Sequence, residues 1–148
     1  MTLMQHNLVK APYICGALTE LLPEEVESTK AFYVRIAEYV ETIIGVRPYV
    51  PHEHFDPIAN PDPDAIEVYN TESNLIKNST SCLIIATPAP TWGGGMEVEI
   101  AHHAGIPCVL LWEKDRPLSR FLRGCPATRN RIIRYSSEEE ALDKLGIV

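Results

Sequence analysis

Basic residues are scarce in this chain. Of its 148 residues, 13 are Lys or Arg and 20 are Asp or Glu, leaving a net charge of -7. Binding to a polyanion usually rests on a basic face, so no nucleic-acid polymer is expected as a partner. Cysteines are few as well. Cys15, Cys82, Cys108 and Cys125 are widely spaced, form no CxxC pair, and in two cases lie within apolar runs. They read as buried, reduced thiols in a reducing compartment. No apolar run approaches membrane-spanning length, and the first residues lack the charged-then-apolar pattern of a signal peptide. The expectation is a cytoplasmic protein with no membrane partner.

Apolar content is nonetheless 45%, enough for a real core. Length suits one domain, residues 11–148, preceded by a flexible tail over residues 1–10. Strand-like runs occupy residues 12–18, 47–51, 82–86, 108–112 and 131–135. Helical patterns lie between them: one from near Pro23 closed by Gly45, one over about 64–78 with Ile66, Tyr69, Leu75 and Ile76 inward, and one opening near Gly95 and ended by Gly105. A short basic stretch covers 119–123, and a last helix over 138–145 is capped by Ser137. Such alternation predicts an α/β fold of three layers, flavodoxin- or Rossmann-like, with a five-stranded parallel sheet. Prolines in the second strand suggest an edge position.

The most informative segment joins the third strand to the third helix: Thr91-Trp92-Gly93-Gly94-Gly95-Met96-Glu97-Val98-Glu99-Ile100-Ala101. Ligands of open α/β sheets bind at that edge. Glycine permits close backbone approach, and free amides at a helix start attract anions. Glu97 and Glu99 are two positions apart and face nearly opposite ways. Glu97 leads a stripe of Ile100, Ala101 and Ala104 expected to pack on the sheet. Glu99 shares its side with His102 and His103, which looks solvated. Spacing therefore prefers Glu97 as the inward carboxylate at a pocket, and leaves open whether it acts on a ligand or only caps the helix dipole.

The strand-loop-Gly-x-Gly-Met-Glu-x-x-x-Ala pattern resembles the nucleoside 2-deoxyribosyltransferase superfamily, which includes the nucleoside 5′-monophosphate N-glycosidases. The likeness extends to Tyr13-Ile14-Cys15-Gly16-Ala17-Leu18, to Val68-Tyr69-Asn70-Thr71-Glu72, and to the run from Gly105 to Leu111. The resemblance implies that Glu97 attacks an anomeric carbon and forms a covalent glycosyl-enzyme. It implies a second acid, usually aspartate. Anchoring on Tyr69 assigns this role to Glu72, whereas counting back from Glu97 reaches Ser73; Glu72 is favoured because only it can carry a proton. Substrate-binding positions implied by the resemblance are Ile14, Gly16 and Ala17 after the first strand. Thr91, Gly93 and Gly95 match the positions that receive a 5′-phosphate, and Ser119 matches a serine supplied by a neighbouring subunit. A homodimer, or an oligomer built from it, follows from that last match.

Other constellations carry less. His52 and His54 have no third ligand at metal-binding spacing. No metal and no cofactor is expected. Trp92 reads equally as a base-stacking residue or as loop packing. Asp56 lies in a Pro-rich loop and is not assigned a catalytic role. The resulting expectation is an enzyme that cleaves the N-glycosidic bond of a nucleoside or nucleoside 5′-monophosphate by hydrolysis. The alternatives are a deoxyribosyltransferase that exchanges bases, and a non-catalytic nucleotide-binding or sensory protein.

Overall fold

Four apolar runs pair side by side into one parallel sheet. The computed structural model of the chain describes residues 9–86 and 91–146. The strands are β1 (Ala11–Cys15), β2 (Thr80–Ala86), β3 (Cys108–Glu113) and β4 (Ile132–Tyr135), in the order β1-β2-β3-β4. Register pairs Ile14 with Ile84, Ile84 with Val109, and Leu110 with Ile132. The helices are α1 (Val26–Ile44), α2 (Pro51–His54), α3 (Ala65–Ser79), α4 (Trp92–His103), α5 (Arg120–Gly124) and α6 (Glu138–Leu145).

Among the described residues, the expected five-stranded sheet has four strands. The run at residues 47–51 contributes a single parallel bridge, Tyr49 to Tyr13. Its two backbone bonds are Tyr49 N–H to Pro12 O, 2.8 Å, and Ile14 N–H to Tyr49 O, 2.9 Å. Pro48 has no N–H to donate, and Pro51 opens α2, so the ladder cannot lengthen. The bridge lies at the outer edge of β1, where the prolines suggested an edge position. Of the expected N-terminal tail, residues 1–8 lie outside the described residues.

Both faces of the sheet are covered. Because strand side chains alternate, Ile14, Ile84, Ala86, Val109, Leu111, Ile133 and Tyr135 pack with α1 and α6 on one face. Tyr13, Cys15, Leu83, Ile85, Cys108 and Leu110 pack with α3 and α4 on the other. This alternation matters for the site: Tyr13 and Cys15 face one layer, and Ile14 between them faces the opposite one.

Helix ends follow their expected signals. Gly45 closes α1 at φ 77°. Asp64 accepts from Glu67 N–H at the start of α3, and Ser137 accepts from Glu140 N–H at the start of α6. Two helix faces differ from expectation. On α3, Ile66 and Tyr69 are exposed, whereas Glu72, Ser73 and Ile76 are buried. On α4 the buried stripe is Gly94, Val98 and Ala101, with Ile100 packed beside it; Ala104 is exposed, because it lies past the last turn as the C-cap. Among the described residues, no helix is long and apolar enough to cross a membrane.

Candidate active site

The unusual feature of α3 is that its buried face carries a carboxylate. Burial of a charge is costly unless it is bonded. Glu72 meets that requirement by accepting a hydrogen bond from the hydroxyl of Tyr13, which is fully buried on β1. Ser73, the other position the resemblance allowed for the second acid, turns its hydroxyl to Asn70 O on its own helix, 3.4 Å away. It is therefore Glu72 that reaches the β1 edge.

Glu97 on α4 reaches the same place. The Cys15 thiol and the Tyr13 hydroxyl lie beside its carboxyl and favour its charged form, and Glu72 acts on it electrostatically. The Tyr13 hydroxyl thus lies between two carboxyl groups from different helices. Desolvation pushes the Glu97 carboxyl up to about 8, and the charge of Glu72 adds to that. Burial likewise raises Glu72, partly offset by the Tyr13 bond. Desolvation and the two nearby carboxylates hold the Tyr13 phenol well above its ordinary range, so it stays a proton donor. Two carboxyls, Glu72 buried and Glu97 half-buried, facing one phenol favour a state that keeps one proton between them.

This overturns the reading of Glu97 as a helix-dipole cap. With α4 starting at Trp92, the first turn contains no acidic residue. Glu97 lies in the second turn, where the dipole has faded, and burial has the opposite effect on its ionisation. Glu99 is exposed, as expected, and pairs with His103 at 2.9 Å.

The glycines divide by what surrounds them. A Cβ on Gly94 would meet Thr91 Cγ2 at 2.6 Å and Cys15 Sγ at 3.3 Å, whereas one on Gly95 would meet nothing within 4 Å. Gly94 is thus the position that lets α4 close on β1, bringing its carbonyl to 3.7 Å from Cys15 Sγ. Gly93 and Gly95 are exposed at the start of the helix. Thr91 precedes the helix but makes no capping bond to its amides. Its hydroxyl donates instead to Glu20 Oε1, 3.0 Å away, on the loop after β1.

Other expected positions differ. Ile14 and Ala17 are fully buried, and the Ile14 side chain packs toward α1 and α6, away from Glu97. Neither offers side-chain surface to a ligand. Gly16 is partly buried where a Cβ would collide with the Tyr33 ring and with Ala86 O. Ser119 is exposed and caps α5 through the Phe121 N–H at 3.2 Å. Trp92 and Phe121 are 89% and 90% exposed, too bare for packing within one chain. Asp56 is tied to Lys30, whose hydrogen bond holds its carboxyl down at about 2.

Beside the carboxyl pair runs an aromatic stack. Tyr49 stacks on Tyr13 at 5.1 Å, and His54 stacks on Tyr49 at 4.5 Å. No cluster of metal-binding side chains occurs among the described residues. Two surface cavities, of about 550 and 320 Å³, lie elsewhere, and Glu97 lines neither. The larger is a groove between α3 and α4 beside Tyr69, Met96, Glu99 and Ile100.

Sequence reasoning missed Tyr13, Cys15, Gly94 and Glu20. The signal for the first two was available, since strand alternation from Tyr13 puts both on one face. Gly94 and Glu20 depend on close approach between segments far apart in the chain.

No known family profile matches the chain, and no curated protein does. Solved structures do. The Clostridium botulinum CMP N-glycosidase BcmB is similar at a TM-score of 0.66 and 18% identity, covering 93% of this chain and 98% of that one. A conserved protein from Enterococcus faecalis V583 is similar at 0.61 and 17%, covering 93% and 97%. At such identity the likeness is one of fold. It is the fold expected from the resemblance to the nucleoside 2-deoxyribosyltransferase superfamily, and one of its bearers is an N-glycosidase.

Proposed function

We propose that the protein is an N-glycosidase of the nucleoside 2-deoxyribosyltransferase superfamily, acting on a nucleoside or nucleoside 5′-monophosphate by hydrolysis. The observation that carries this reading is the convergence of Glu97 and Glu72 on the Tyr13 hydroxyl. Cleaving an N-glycosidic bond needs an anion at the anomeric carbon and a proton at the departing base. A carboxyl pair that shares one proton holds both.

In this reading, the proton that burial holds on Glu97 in the free protein moves to Glu72 as substrate binds, and Glu72 passes it toward the leaving base. Glu97, left ionised, attacks the anomeric carbon. The C–N bond breaks, its electron pair leaves with the base, and a glycosyl ester forms on Glu97. Water then attacks the anomeric carbon, its proton passing to Glu72, and the sugar is released from Glu97, which returns to a carboxylate. Tyr13 holds both side chains in register throughout. The exposed Trp92 and Phe121 support a homodimer in which Ser119, on the same arm as Phe121, approaches the neighbouring site.

The test is to incubate the protein with a panel of nucleosides and their 5′-monophosphates and follow free base. Release in water alone is expected. Release only with an added acceptor base would instead make it a transferase. Binding without release would make it a sensor.

A further inference from the structure

The residue that bonds Thr91 is out of place in a phosphate site. The resemblance puts a 5′-phosphate on Thr91, Gly93 and Gly95, and the start of α4 suits an anion. Yet Glu20 Oε1 already takes the Thr91 hydroxyl proton at 3.0 Å. Glu20 is exposed, and no ion pair engages it among the described residues. A phosphate at Thr91 would lose that hydroxyl as a donor and stand next to an unpaired negative charge. Arg123, a cation on α5, lies over the Trp112 ring, 5.0 Å from its centre.

We propose that Glu20 selects against a 5′-phosphate, so that the preferred substrate is the free nucleoside, whose 5′-hydroxyl donates to the Glu20 carboxylate beside Thr91. The inference rests on the glycosidase reading above and narrows its substrate class. A carboxylate accepts from a hydroxyl strongly and offers a phosphate dianion nothing but repulsion. In effect, the chain carries its own anion at the start of α4, where a ligand phosphate would otherwise be held.

The experiment measures kcat/KM for base release from each nucleoside of the panel and from its own 5′-monophosphate, with the wild-type chain and with Glu20→Gln. The wild type is expected to favour the nucleoside by about tenfold or more. In Glu20→Gln the monophosphate should gain about tenfold, while the nucleoside changes less or declines. A wild type that prefers the monophosphate, or a variant that alters both substrates alike, overturns the role of Glu20 and leaves the glycosidase reading standing. Absence of base release from every substrate overturns that reading, and this inference with it. Thermal unfolding of Glu20→Gln close to wild type is expected, since the residue is exposed; a large drop would make Glu20 a structural tie and overturn the selectivity role.

Discussion

Tyr13 donates its hydroxyl proton to Oε2 of Glu72 across 59 positions of sequence, joining β1 to a carboxylate that α3 would otherwise bury without a partner. The same hydroxyl lies beside the Glu97 carboxyl. One phenol therefore sets the spacing of two acids contributed by different helices. Phe at this position keeps the ring and removes only the donor. Tyr13→Phe should cost about 1–3 kcal/mol of stability, the penalty of an unsatisfied buried acceptor. It should also lower kcat by about 10- to 100-fold. Thermal or denaturant unfolding with single-turnover kinetics checks both. Unchanged kcat would leave Tyr13 with a packing role only.

Burying Glu97 should make stability depend on pH. Its folded carboxyl titrates near 8 against an ordinary 4.5, so the folded state binds more protons between those values. Stability is fully present below 4.5, declines as pH rises, and levels off above about 8. The loss is on the order of 5 kcal/mol. Glu97→Gln should abolish base release and flatten this decline. Denaturant midpoints across pH 4–9 for the two proteins measure it. Parallel curves would mean that Glu97 is solvated.

Adjacent glycines should respond in opposite directions. Gly94→Ala forces a methyl against Thr91 Cγ2 and Cys15 Sγ and should destabilise by about 1–3 kcal/mol. Gly95→Ala meets nothing and should stabilise by about 0.5–1 kcal/mol through helix propensity. Melting temperatures decide it, and equal shifts would contradict the close approach at Gly94.

The proposed homodimer is expected to depend on the exposed Phe121. Phe121→Glu should shift sedimentation toward monomer, and turnover should fall with it if Ser119 completes the neighbouring site. A wild-type monomer at working concentration would contradict both expectations.

Much of this was legible in the residues. The alternation of apolar runs gave the parallel sheet, and Asp64, Ser137 and Gly45 marked helix ends through local chemistry that needs no tertiary context. Glu97 was preferred over Glu99 by spacing. What local pattern could not supply was tertiary. Residues 47–51 read as a strand, but two prolines reduce them to one bridge. Ile66 and Tyr69 read as inward because apolar residues usually are, whereas α3 turns Glu72 and Ser73 inward instead. An inversion of that kind, polar in and apolar out, occurs where a site or a partner overrides the hydrophobic pattern. The start of α4 was placed late because three glycines suggest a loop, and that error made Glu97 look like a dipole cap.

The central claim is that Glu97 becomes glycosylated. It is tested most directly by mass spectrometry of the protein quenched during turnover, or loaded with a slow 2-fluoro nucleoside analogue, followed by peptide mapping. The account predicts a mass increase equal to the sugar moiety without its base, located on Glu97 and absent from Glu97→Gln. Base release that proceeds with no adduct, or with the adduct on another residue, would contradict it.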